Sequence, residues 1–314
     1  MKQKAKIIIL LPIFATVICL LFFAIRHNRP ASVSKVLPPQ SCNRIISLAP
    51  NVTEILFALG LGNKVIGISE FCNYPIEAKD RPRFGALMNP NYEAIVAAKP
   101  DIVIVFEEML KPENKFTAMG ISTLAVKHNT IEDIFSSIIA IGQACGATEQ
   151  AEILVNELKS KISAIKIQCK GEQKLKVLVS VGHDISQNPD KAPENIYIAG
   201  KDGFYSDMIE KAGGQNAYAG AIPFPTVGYE SIVSMNPDII IDIVPAQQNL
   251  IDNQIIREQW KKFSLLDAVK NDRIYVFSED FMAIPGPRFI LTLERIASAI
   301  NPKLKSRENE PNRN

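Results

Sequence analysis

Short unbroken apolar runs alternate along this chain with amphipathic stretches of helical spacing. The runs at 102–105 and 239–241 are built from Ile and Val, as expected of strands buried on both faces of a parallel sheet. Each follows the same short passage. Residues 92–102 and 229–239 align without a gap as YE-x-IV-x-x-x-PDI, at an offset of 137 residues. Tyr-Glu opens a helix of about two turns, where a carboxylate suits the positive end of the helix dipole. The residue before proline leaves the helical region, so the helix stops near Lys99 and near Asn236. Pro-Asp then leads into the buried strand. A single repeat at this distance is too widely spaced for a solenoid and predicts two similar α/β lobes.

The rest of the pattern fits this frame. A first strand is predicted at 44–50, and Asn51-Val52-Thr53-Glu54 has the cap-x-x-Glu signature of a helix start. That helix closes at Gly60-Leu61-Gly62. Further strands are expected at 64–69 and 122–126, with helices at 112–119 and 131–143. Residues 148–167 carry apolar positions at 151, 154, 155, 158, 162 and 165, one face of a helix about 30 Å long. Lying between the two repeats, it is the predicted connection between lobes. The second lobe has strands at 176–181 and 273–277, helices at 205–211, 254–263 and 287–300, and a Pro223-Phe224-Pro225 loop. The resulting division is 1–30 signal or anchor, 31–43 tether, 44–146 N-terminal lobe, 147–170 linking helix, 171–301 C-terminal lobe and 302–314 disordered tail.

Length and composition add limits. A chain of 314 residues with 47% hydrophobic and 22% charged residues can bury two domain-sized cores. The formal charge of +2 arises at the N-terminus: residues 1–30 hold five Lys/Arg and no acid, leaving 30 basic and 33 acidic residues elsewhere. No nucleic-acid footprint results. Lys2, Lys4 and Lys6 precede a 19-residue apolar run from Ile7 to Ile25, read as an export signal retained as a membrane anchor. The residues before Cys19 lack the small side chain expected ahead of a lipidated cysteine. The five cysteines show no metal-ligand spacing, so no metal site is expected. An exported body admits a disulfide, and Cys42 with Cys145 would join the two ends of the first lobe; spacing alone leaves the pairing open. No G-x-S-x-G, Walker, G-x-G-x-x-G or H-E-x-x-H motif occurs. An enzyme using the inter-lobe cleft is therefore the weaker class of function.

The stretches RIISLAPNVTEILFALGLGNKVIGISEFCNYP, NYEAIVAAKPDIVI and PFPTVGYESIVSMNPDIII, with GPR before the last helix, resemble the helical-backbone (class III) periplasmic substrate-binding proteins of ABC importers. These carry vitamin B12, haem or ferric siderophores, and the likeness is closest to the B12 binders. The resemblance implies an α/β fold of two Rossmann-like lobes with parallel-sheet cores, joined by one long helix, with ligand in the cleft between them. It implies a monomer without cofactor or turnover, whose cargo is a corrinoid; ferric siderophore and haem are the alternatives. Glu93 and Glu230, matched across the lobes, would dock onto Arg residues of the permease. Phe71, Cys72, Tyr74, Leu87, Met88 and Phe106 from one lobe, and His183, Phe224, Asp280 and Phe281 from the other, would contact ligand. Leu87 stands where an aromatic residue is expected. His183 is the candidate axial ligand should the cargo be haem, His128 is assigned to a surface loop, and Arg288 of the GPR segment to a structural role.

Overall fold

The computed structural model describes residues 42–109, 115–169, 174–184, 186–201, 203–244 and 252–304. The expected anchor, nearly all of the tether and residues 305–314 lie outside them. The chain runs β1 (Ile45–Ser47), α1 (Pro50–Ala58), β2 (Val65–Ile68), β3 (Gly85–Ala86), β4 (Asn89–Pro90), α2 (Tyr92–Ala97), β5 (Ile102–Phe106), α3 (Lys115–Ala118), β6 (Thr123–Val126) and α4 (Ile131–Cys145). Then follow α5 (Thr148–Gln168), β7 (Lys176–Asp184), β8 (Glu194–Ile198), α6 (Phe204–Lys211), β9 (Gln215–Asn216), β10 (Thr226–Val227), α7 (Tyr229–Met235) and β11 (Ile239–Ile243). The last elements are α8 (Asn253–Trp260), α9 (Asp267–Lys270), β12 (Ile274–Phe277) and α10 (Phe289–Ile300). Pro302–Leu304, placed in the disordered tail by sequence, form a 3₁₀ turn.

Among the described residues two large sheets form, one before and one after α5 in the chain, and β3 and β4 pair as a separate two-stranded ribbon. The first is parallel throughout, in the order β2-β1-β5-β6. In the second, β7, β11 and β12 are parallel neighbours. β8 and β10 extend that sheet antiparallel and β9 pairs with the start of β7, so the second core is mixed rather than purely parallel. The two copies of the repeat supply β5 to one sheet and β11 to the other.

The copies do the same work in the same way. Asp101 Oδ2 accepts from the backbone N–H groups of Asn43 and Arg44 at 2.8 and 2.9 Å, and Asp238 Oδ2 accepts from Lys176 N–H at 2.7 Å. Each Pro-Asp carboxylate thus holds the start of its lobe's first strand. A basic side chain at that strand start reaches back to the helix end: Arg44 donates to the carbonyls of Ala98 and Lys99, Lys176 Nζ to that of Met235. These last-turn carbonyls have no partner within the helix. Lys99 and Asn236 stop their helices as expected, but with φ of 47° and 41°, in the left-handed region rather than the extended one.

α5 buries Ala151, Val155, Leu158, Ile162 and Ile165 along one face. It packs on α4 of the first lobe and on α6 and α10 of the second. The approach to α4 is close: a Cβ at Gly142 would stand 2.5 Å from that of Ala151. One apolar core therefore runs from Ile45 and Ile55 through the α5 face to Ile239 and Phe289. Its lobe-to-lobe contacts include Phe135 against Phe289, ring centroids 6.0 Å apart.

Candidate functional site

A cavity of about 600 Å³ opens where the two lobes meet. Pro50 and Asn51 follow β1, Phe106 ends β5, and His128 and Asn129 follow β6; all line it, as does Val181 of β7. Ligand clefts of open α/β sheets lie at these carboxyl ends of strands. The opposite wall is Phe204 and Tyr205 of α6, Pro223 and Phe224 of the Pro-rich loop, and residues 283–285. The Phe224 loop is held at Gly200, whose N–H donates to Pro223 O at 2.7 Å. A Cβ on Gly200 would overlap the Ile222 carbonyl oxygen.

Among the described residues, none lining the cavity carries a fixed charge. His128 stacks on Phe106 with centroids 3.9 Å apart. Its Nδ1 is buried without a partner, and burial pushes the ring pKa below the ordinary 6.5, which keeps the imidazole neutral. Tyr205 is buried and donates its hydroxyl hydrogen to Met282 O at 2.9 Å. Asn51 Nδ2 reaches Pro285 O across the lobes at 3.4 Å, while its Oδ1 is buried and unpaired.

Beside the cavity the lobes are tied through Arg288. Its guanidinium donates to both oxygens of Asp280 at 2.9 Å and to Glu54 Oε1 of α1 at 2.6 Å. It also lies over the Tyr74 ring, 3.7 Å from the centroid. Burial opposes the charge on Arg288, but the bonds to Glu54 and Asp280 hold its pKa above the ordinary value. Burial pushes the Glu54 pKa up against the lowering effect of Arg288, whereas the bond to Arg288 pulls Asp280 down. The Asn51–Glu54 signature is thus not a cap. Helix α1 begins two residues earlier, with Ala49 as N-cap and Pro50 in the first turn, where a missing N–H costs nothing. This leaves both polar side chains facing the other lobe.

The sequence-predicted contacts separate accordingly. Phe106 and Phe224 line the cavity. Phe71, Tyr74 and Met88 are exposed on loops outside that lining, and Leu87 and Phe281 pack onto the apolar cores. Cys72 is fully buried and bonded to Ser69 at 3.1 Å, so it offers no surface to a ligand. His183 is also withdrawn. Its Nε2 meets Asp242 Oδ2 at 2.8 Å with both side chains 1% exposed, and Trp260 Nε1 donates to the same oxygen at 2.6 Å. The cleft histidine is His128, not His183. The disulfide between Cys42 and Cys145 is not formed. Both are free buried thiols; Cys42 Sγ donates to Ala144 O at 3.1 Å, and burial, then the neighbouring Cys42, pushes the Cys145 thiol up to about 12. Among the described residues no cluster of metal-ligating side chains occurs.

Sequence reasoning missed His128, Asn51, Phe204 and residues 283–285. For His128 the signal was present, two residues past β6, just as Phe106 stands at the end of β5. Glu93 and Glu230 are exposed in the first turns of α2 and α7, and among the described residues neither enters an ion pair.

Known proteins share this two-lobed architecture. The periplasmic binding protein family matches residues 45–280. An uncharacterized ABC transporter substrate-binding lipoprotein of Bacillus subtilis is 32% identical over 281 residues, 87% of this chain and 84% of its own. A vitamin B12-binding protein of Vibrio parahaemolyticus is 26% identical, over 81% of this chain and 88% of its own. The crystal structure of a possible iron-binding (periplasmic solute-binding) protein from Staphylococcus epidermidis superposes with a TM-score of 0.69 at 31% identity, covering 82% of this chain and 98% of that one. With two lobes, one joining helix and a cleft at the strand ends, this chain belongs to the periplasmic binding protein family, the substrate-binding components of ABC transporters.

Proposed function

We propose that this protein is exported, captures a corrinoid in the inter-lobe cleft and delivers it to an ABC importer. The cavity carries the reading: about 600 Å³, walled by Phe106, Phe204 and Phe224, with no fixed charge among the described residues of its lining. A site of this size falls in the usual range of about 300–1,000 Å³ for small-molecule clefts, and aromatic walls suit the face of a flat macrocycle. Similarity to vitamin B12-binding proteins supports the same class of cargo. The cargo leaves chemically unchanged, and residues 7–25 hold the protein to the outer face of the membrane.

Glu93 and Glu230 are the permease contacts. They are exposed, unpaired among the described residues and equivalent in the two lobes, so each is open to a bidentate arginine. Haem is the second reading, favoured by one observation: neutral His128 puts a nitrogen donor at the cleft, as haem iron requires. Against it, haem propionates meet no free cation on the lining, and an anionic ferric siderophore meets the same obstacle. Calorimetry with cyanocobalamin, cobinamide, haemin and ferrichrome tests the assignment. Saturable one-to-one binding of a corrinoid is expected; binding of haemin or ferrichrome alone refutes it.

A further inference from the structure

The cleft treats charge in an unusual way. Among the described residues its lining carries none, and the guanidinium beside it is already held by two carboxylates. Arg288 bonds Asp280 through both terminal nitrogens and Glu54 through one of them, with its face covered by Tyr74. With both acids ionised the group is net negative by one charge. It adjoins the cavity wall: Asn51, one helical turn before Glu54, and Pro285, three residues before Arg288, both line the cavity. Two buried acceptors have no donor, Glu54 Oε2 and Asn51 Oδ1, against one unpaired donor, Arg288 Nε. Amide N–H groups satisfy such acceptors. A carboxylate entering the same place loses its water and faces a group whose single cation is already outnumbered by two carboxylates.

We propose that Glu54, Asp280 and Arg288 form a charge filter, making the cleft select an uncharged, amide-edged macrocycle over the same macrocycle edged with carboxylates. This rests on the corrinoid reading and assigns its specificity to named residues. The two acids act through Arg288 and through the local potential, so they are specificity determinants whether or not they touch the cargo.

The test is a ratio of affinities. The full chain is titrated with dicyanocobinamide and with dicyanocobyrinic acid, the same ring bearing carboxylates in place of side-chain amides. The wild type prefers the amide form. Removing one negative charge at a few ångströms narrows that preference on the order of tenfold in Asp280→Asn, and in the same direction in Glu54→Gln. Asp280 is half-exposed, so its substitution tests the filter even where a change at buried Glu54 disturbs folding. A purely structural triad lowers both affinities together and leaves the ratio alone. An unchanged ratio in Asp280→Asn, or a wild type that prefers the acid form, overturns the filter. If the wild type holds neither corrinoid, the corrinoid reading falls, and haemin, a dianion through its propionates, takes over as probe. Its affinity must then rise in Asp280→Asn, and no rise there overturns the filter as well.

Discussion

The buried pair of His183 and Asp242 makes stability depend on pH with a definite sign. Burial opposes protonation of His183, but its bond to Asp242, and then the charge of Asp242, hold its pKa above the ordinary 6.5. A histidine raised in the folded state contributes stability that is fully present below the unfolded value and is lost as pH rises through the folded one. His183→Gln is the informative change. An amide N–H can keep the 2.8 Å contact with Asp242 Oδ2, and Trp260 still donates at 2.6 Å, so only the capacity for charge is removed. The amide bond to ionised Asp242 lacks the attraction between two full charges, net of their desolvation, which sets the deficit at about 1.5 kcal/mol in acid. For a body of this size that is roughly 3–6 °C in melting temperature. Circular dichroism melts of both proteins from about pH 5.5 to about pH 9 follow it. His128, shifted the other way by burial, is common to both and cancels in the difference. The gap between wild type and variant should be widest at the acid end and close as pH rises. A gap that is flat across the range, or widens with pH, refutes the reasoning.

Glu93→Ala with Glu230→Ala should abolish transport while leaving cargo affinity within about twofold; lost affinity in purified protein would show that the carboxylates face the cleft. Gly200→Ala, forced against the Ile222 carbonyl, should cost about 1–3 kcal/mol of stability. By moving the Phe224 loop it should also weaken cargo binding on the order of tenfold; unchanged affinity in calorimetry counts against a wall formed by Phe224. Cys42, Cys72 and Cys145 are buried, and burial raises the thiols of Cys72 and Cys145. Iodoacetamide should therefore leave all three unmodified in the native protein and label them after unfolding, as mass spectrometry will report.

The two-sheet fold and the joining helix were legible because their signals are local and repeated. Pro-Asp before an Ile/Val run, and a 3–4 spacing over twenty residues, leave few other structures open. β8 was invisible for the opposite reason. In Glu194-Asn195-Ile196-Tyr197-Ile198 only the two isoleucines are buried, and the strand exists through pairing with β7 rather than through its own pattern. The helix start at Asn51 was misread since Pro50 fits the first turn as well as Asn51 fits the cap. The site was only half legible. Position along a strand shows which residues reach the cleft end, and this found Phe106. It does not show which way a side chain turns there. His183 turns into the second lobe because Asp242, on the neighbouring strand, and Trp260 make a buried partner for it, while His128 has Phe106 to lie against. Such pairings join residues 59 and 22 positions apart, and no local pattern records them.

The matched ties at Arg44 and Lys176 have a mechanical result. Each repeat helix is pinned at its far end to the first strand of its own sheet, so its near end, with the exposed glutamate, cannot drift independently of that sheet. The two carboxylates behave like the points of a pair of calipers. Any partner that seats on both at once measures the spacing of the two halves, and senses a change there without reaching the interior.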